Sequence, residues 1–516
     1  MNLISWLKGV FRRMISPSTI QQVLKVAPAV SPEMQQAIEL WEKMYTGNSP
    51  WIDKNTKSLG IATMIASEKA RMATLEMKIK MTGDSERAEY LQAPFNDVIS
   101  RVRKELEYGI ALGSFVIKPY VTMGVDGKYK IETTFANANN FYPLSFAANG
   151  DITEAAFIDR IVTKEFIYSK VERHNLVDNK LTVENFAFRK GANEYKDIND
   201  NELGERIELT SVPAWAQLAE KVEIENVDKL LFAYFKMPQA NNIDMNSPLG
   251  VSGFSRAVDL IKDADVQYSN LLWEFEGGQM AIDVDRTCFN VENQNGKDTY
   301  VLPALQDRLF RRTLDLGNDE AYHVFAPSLR DNSILNGLNN ILIQIENVTD
   351  LSRGTLSAVN FTEARTATEL KILKQRSYAA NSDIQKELES TLRKSLEVMD
   401  KLCDLYDIVP SGDYEVSYCW DDSIIIDKDA ERQIDLIDVE KGLMSKVEYR
   451  MKWYGETEEQ AKTVLKTVDD EKKAEMELQQ SVMMNNQQPG EQQKKQTDLQ
   501  RANESNKVTQ VGEKNV

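Results

Sequence analysis

The chain has 516 residues, of which 42% are hydrophobic, 8% aromatic and 28% charged, values that allow a sizeable core and two to four domains. A formal net charge of −18 argues against a surface built to grip a phosphate backbone, although DNA can pass close to a negative wall that does not hold it. Cys288, Cys403 and Cys419 lie far apart and read as buried thiols, His174 and His323 lack ligand spacing for zinc, and no apolar run is long enough for a membrane span.

Met1 to Ile15 places Leu3, Trp6, Leu7, Val10, Phe11 and Met14 on one helical face and Lys8, Arg12 and Arg13 on the other. Charges interrupt any apolar core, so this is no signal peptide. It suits a membrane surface or, more simply, a short helix docking on its own protein or on a partner. Residues 31–46 predict a helix capped by Ser31-Pro32, with Met34, Ile38, Trp41 and Tyr45 at three- and four-residue steps. Further helices are expected at about 59–73 and 94–112. An extended run at 115–121, the hairpin signal Gly124-Val-Asp-Gly127 and a returning strand at 128–135 follow. Residues 152–189 are mostly strand, and 30–245 read as one α+β body.

The pattern changes at Asn246-Ser-Pro-Leu-Gly250. A helix over 253–276, about 36 Å long, carries Ala257, Leu260, Ile261, Ala264, Tyr268, Leu271, Leu272 and Phe275 as its apolar stripe. Residues 283–332 form a compact insert with Arg308, Arg311 and Arg312 at helical spacing, able to contact phosphates or an acidic partner, or simply a solvated face. A second helix over 333–351 buries Ile334, Leu338, Ile341, Leu342, Ile345 and Val348, and 353–362 is a Gly/Ser/Thr/Asn-rich loop. The longest helix, 363–406, would span about 65 Å. Residues 413–426 read as a strand pair, three short helices follow 429, and the polar tail from about 485 should be disordered.

Chemistry is sparse. There is no P-loop and no GxSxG elbow, and Gly109, Gly113, Gly250 and Gly253 look like packing or cap glycines. Asp421, Asp422 and Asp427 could hold Mg²⁺ in a nuclease, or serve as a polar turn and helix cap. Asp283 and Asp285 alternate along a strand and read as a solvated face. No cofactor and no metal are expected.

An ordered series of short motifs spans about residues 30–470. It begins with Ala37-Ile-Glu-Leu-Trp41, Met44-Tyr45, Pro50-Trp51, Arg87-Ala-Glu89, Glu107-Tyr-Gly109 and Lys118-Pro-Tyr120. It continues with Phe232-Ala-Tyr-Phe-Lys236, Ser247-Pro-Leu-Gly-Val251, Trp273-Glu-Phe-Glu-Gly-Gly278, Asn336-Gly-Leu-Asn339, Gly354-Thr-Leu-Ser357, Thr366-Ala-Thr-Glu369, Trp420-Asp-Asp-Ser423 and Tyr454-Gly455. The series resembles the portal proteins of long-tailed bacteriophages of Gram-positive hosts.

The resemblance implies an α+β portal fold, with a helical stem, an α/β clip, a long tunnel-bracing helix and a helical crown. By that likeness 1–29 are an N-terminal amphipathic arm, 30–250 the wing, 251–279 the first stem helix, 280–332 the clip and 333–352 the second stem helix. The tunnel loop would be 353–362, the long helix and second part of the wing 363–427, the crown 428–482, and the tail 483–516. Gly354, Thr355, Leu356, Ser357, Asn360 and Phe361 would face DNA, and Arg308, Arg311 and Arg312 would form the clip docking surface. Ser357-Ala-Val-Asn-Phe-Thr362 departs from the family's pattern. The implied protein is a non-enzymatic virion subunit, assembled in the host cytoplasm into a ring of about twelve copies. Its implied partners are the terminase large subunit, head-completion and adaptor proteins, scaffold, major capsid protein and double-stranded DNA, with no membrane.

Overall fold

A computed structural model describes residues 14–124, 127–191, 202–285, 290–294, 297–301, 310–313, 322–358, 367–420, 428–454 and 457–485. The chain divides into two compact units, Met1–Asp421 and Asp422–Val516.

The first unit opens with α1 (Pro17–Leu24) and α2 (Pro32–Tyr45). Each is capped by a serine hydroxyl, Ser16 accepting from Thr19 N and Ser31 from Met34 N, with proline at the first turn. Met14, Ile15, Ile20 and Leu24 are buried in the main core, and Tyr142 Oη donates to Ile15 O at 3.0 Å. The described part of the N-terminal arm is therefore docked on its own protein.

Next come α3 (Ile61–Thr74), β1 (Met77–Thr82) and α4 (Glu86–Leu112). α4 begins eight residues before the expected start at Pro94, because Ser85 caps it through Ala88 N and the apolar stripe already runs through Ala88 and Leu91. Pro94 lies inside the helix rather than opening it. β2 (Ser114–Met123) and β3 (Tyr129–Asn137) form the expected hairpin, and the later strand β10 (Ala233–Lys236) pairs with β2.

A larger antiparallel sheet has the order β4 (Phe141–Phe146), β5 (Ile152–Val162), β6 (Phe166–Val177), β7 (Lys180–Gly191), β8 (Glu205–Ile207), with β9 (Lys221–Glu225) also pairing β7. The two sheets meet at a buried ionic cluster. Glu172 of β6 accepts from Lys118 Nζ of β2, His174 Nε2 and Lys170 Nζ, at 2.8, 2.7 and 2.8 Å. Burial alone would raise the Glu172 carboxyl, but these cations and donors hold it well below the usual range.

The helix pair is α5 (Val258–Gly277) and α6 (Asp331–Val348). Between them lie β11 (Ala281–Asp285), β12 (Asn290–Gln294), β13 (Lys297–Val301), β14 (Phe310–Thr313) and β15 (Tyr322–Phe325). β11 pairs parallel with β14 and antiparallel with β15, while β12 and β13 form a hairpin. The arginines do not follow the expected helical spacing: Arg311 and Arg312 lie on extended β14, and Arg308 falls outside the described residues. Asp283 is also not a solvated strand residue. Its side chain is 18% exposed and sits 3.9 Å from His323 Nδ1.

α7 (Ala367–Leu405) follows, then β16 (Glu415–Trp420). β16 pairs with β1 across more than 330 residues of sequence, rather than within a local strand pair. Its alternation leaves Cys419 exposed while Cys403 is buried, so one of the three thiols is not the buried residue expected; Cys288 lies outside the described residues. Arg87 locks this closure. All its nitrogens are used: Nε to Pro410 O, Nη1 to Asp400 O and Oδ1, Nη2 to Asp404 Oδ1 and Val409 O, at 2.6–3.1 Å.

The second unit contains α8 (Lys428–Glu440), α9 (Lys446–Tyr454) and α10 (Glu458–Asn485). The last of these runs 28 residues, longer than the short helix expected. Asp435 accepts from Trp453 Nε1 at 2.8 Å and pairs with Lys452 at 2.7 Å, joining α8 to α9. The expected disordered tail lies outside the described residues.

Candidate functional site: the loop at the end of the helix pair

Three anchors fix α5 and α6. At the base, the segment before α5 lies against the end of α4: Gly253 N donates to Ile110 O at 2.7 Å, and Ser252 Oγ to the same carbonyl at 3.4 Å. Midway along α5, the fully buried Asp265 accepts from Trp51 Nε1 at 2.9 Å and Leu59 N at 2.7 Å. Burial pushes this carboxyl up, against the two donors. At the far end, Glu274 accepts from Arg330 N at 3.0 Å and Arg330 Nη2 at 2.8 Å, which joins the points where the insert leaves and returns. Those bonds hold the Glu274 carboxyl below its ordinary range.

α6 ends in a turn. Thr349 N and Oγ1 both donate to Ile345 O, Leu351 N donates to Glu346 O, and Asp350 adopts φ +57°. The chain then folds back over Glu346, which is 1% exposed. Glu346 Oε1 accepts from Gly354 N at 3.1 Å, Leu356 N at 2.6 Å and Ser357 N at 2.8 Å, and Oε2 accepts from Ser357 Oγ at 2.8 Å. Gly354 sits at φ +91°, a conformation that a side chain would strain. Ala358 N donates to Asn339 Oδ1 at 2.7 Å, one helical stretch back on α6. Ser352 Oγ meets Ser377 Oγ of α7 at 2.6 Å. Three convergent backbone N–H groups form a small anion-binding concavity, and an internal carboxylate fills it with charge-assisted bonds.

Four of the six expected loop residues are thus described. Arg353 and Gly354 are exposed, Thr355 and Leu356 are half-buried, and Ser357 is buried with its hydroxyl committed to Glu346. Asn360 and Phe361 lie outside the described residues. Sequence reading missed Glu346 and Asn339 as loop-setting residues. The available signal was a glutamate within the apolar run Ile341, Leu342, Ile345 and Val348. Nearby, burial brings the Lys69 ammonium down to about 8 in spite of the neighbouring Asp350.

Outward from the pair, Val266, Trp273 and Phe275 of α5 and Leu335 of α6 are exposed, Trp273 at 66%. Phe275 was expected in the buried stripe. It lies about 100° around the helix from the buried Glu274, off the buried side, and is exposed.

Asp421, Asp422 and Asp427 lie outside the described residues, and among the described residues no three His, Cys, Asp or Glu side chains are grouped to hold a metal ion. Nothing found supports the nuclease alternative. No helix among the described residues is long and apolar enough to cross a membrane. Residues 35–478 match the family described as Phage portal protein, SPP1 Gp6-like. A search of curated proteins gives no match.

Proposed function

Since this chain belongs to the SPP1 Gp6-like family of phage portal proteins, we propose that it is the subunit of a closed ring of about twelve copies at a capsid vertex, the channel through which viral DNA is packaged and ejected. The observation that carries this reading is the helix pair. Its ends are fixed by Ile110 and Arg330, yet its outer faces keep Trp273, Phe275, Val266 and Leu335 in water. A rotationally closed ring gives each subunit two different neighbours, and such faces are what those neighbours would cover.

In this reading residues 30–250 form the wing, α5 and α6 the stem, 280–332 the clip, 353–362 the tunnel loop and 428–482 the crown. The clip, with Arg308, Arg311 and Arg312, docks the terminase large subunit and later the head-completion proteins; scaffold and major capsid protein are further partners. The net charge of −18 serves passage, because a wall that does not condense on phosphates releases no counterions and does not brake the duplex. The subunit's role is to conduct and to dock, not to catalyse.

Native mass spectrometry with negative-stain imaging tests the reading. Rings of about twelve subunits with a central hole are expected. A chain that stays monomeric at high concentration and cleaves DNA with Mg²⁺ overturns it.

A further inference from the structure

We propose that Glu346 is the positioning residue of the loop, a latch that makes residues 352–358 one rigid block carried by α6. The inference rests on the portal reading for what the loop does, but its geometry stands by itself. A loop of this composition would ordinarily be free to sample many conformations. Here the amides of Gly354, Leu356 and Ser357 and the Ser357 hydroxyl all converge on one carboxylate, and Asn339 holds the far end. Four donors on a buried anion leave little freedom, because each bond to a charged acceptor inside the protein is stronger than its counterpart in water.

The block presents Arg353 outward while Leu356 packs into the core. Both oxygens of the latch sit on α6, and Ser352 also meets Ser377 of α7, so a movement of the loop along the channel is a movement of α6, of its turn at Asp350 or of that contact with α7, not a flexing of the loop itself. Arg353 then keeps a set height in every copy of the ring. Among the described residues of the loop, Arg353 is the cation that a passing phosphodiester would meet, and its height is decided by the buried carboxylate of Glu346.

The test uses the full chain assembled into rings, as wild type, Glu346→Ala, Glu346→Gln and Ser357→Ala. Hydrogen–deuterium exchange is read on the peptide covering 351–358, with 86–112 as reference. The wild-type peptide should be protected. Glu346→Ala should exchange about tenfold faster there or more, with the reference unchanged. Glu346→Gln should fall between, since its amide oxygen still accepts but carries no charge, and Ser357→Ala should show a small acceleration. Particles built with each variant are then compared for nuclease-protected DNA, which should fall in the order wild type, Gln, Ala.

A wild-type loop that exchanges freely, or a freed loop in Glu346→Ala with unchanged protected DNA, overturns the latch. Glu346→Ala chains that form no rings, with Ser357→Ala exchanging like wild type, overturn it as well. Wild-type rings that never support packaging overturn the portal reading while leaving the exchange result to decide the latch.

Discussion

Gly113 and Gly250 pack backbone against backbone where α4 hands over to the segment leading into α5. A Cβ on Gly250 would stand 2.1 Å from Gly113 O, and one on Gly113, at φ +93°, would stand 2.5 Å from Gly250 O. Neither obstacle is a side chain that can swing away. Gly250→Ala should therefore destabilise the chain by about 3 kcal/mol or more. Gly337→Ala, on an open helix position with nothing within 4 Å of its Cβ, should stabilise by about 0.5–1 kcal/mol. Urea midpoints measure both, and a tolerated Gly250→Ala would refute the close approach.

Lys69 makes stability depend on pH. Burial lowers its folded value to about 8 against 10.5 in a free chain, so the unfolded state binds the proton more tightly. Stability therefore rises as pH climbs from about 8 towards 10.5, and the charged ammonium costs about 3 kcal/mol at neutral pH. Lys69→Met should gain about 1–3 kcal/mol at pH 7, less at pH 10. The free-energy difference between the two proteins, followed from pH 7 to 10, isolates this group from others that titrate there. A difference that does not change with pH sinks the prediction.

Arg87 ties α4 to the end of α7 and to the strand that returns beside β1. Its two carboxylate partners remain partly in water, so Arg87→Ala should cost about 2–3 kcal/mol. Arg87→Lys should recover only part of this, because an ammonium offers three donors where the guanidinium uses five. The urea midpoint reads the cost, and amide exchange at 415–420 should accelerate in step. Equal stability of the Lys variant and wild type would show that the fork geometry is immaterial.

Trp273 is the largest exposed apolar side chain of the helix pair. Trp273→Ala should weaken ring assembly by about 2 kcal/mol per contact, roughly thirtyfold. Met245, 92% exposed and outside both helices of the pair, supplies the comparison: Met245→Ala should assemble as wild type does. Native mass spectrometry across a dilution series separates them, and equal behaviour of the two variants would remove Trp273 from the interface.

The helices were legible because their apolar spacing is local: Met34, Ile38 and Trp41 announce α2, and Leu338, Ile341 and Ile345 announce α6. The β2–β3 hairpin was legible from its glycines. What escaped depends on distant partners. β1, with Lys78 and Lys80 alternating against Met77, Ile79 and Met81, is a weak strand signal alone and acquires its meaning from β16. Pro94 looked like a helix start because the cap at Ser85 lies a further nine residues upstream. Arg308, Arg311 and Arg312 suit a helix by spacing, yet Arg311 and Arg312 sit on a strand in parallel register with β11, a distant partner that local spacing does not reveal. Of the loop, the position was readable from composition and its conformation was not, since the donors that close on Glu346 are backbone amides, which every residue but proline possesses.

The bond between Glu274 and Arg330 has an evolutionary side. It brings the exit and re-entry of the insert to one point, where Gly278 also meets Leu329. A stretch whose ends coincide can be lengthened, shortened or replaced without disturbing the helices that carry it, and doubling such an excursion costs only about 0.6 kcal/mol of closure entropy. The insert can thus change in length or in sequence as an exchangeable cassette, with the helix pair beneath it left in place.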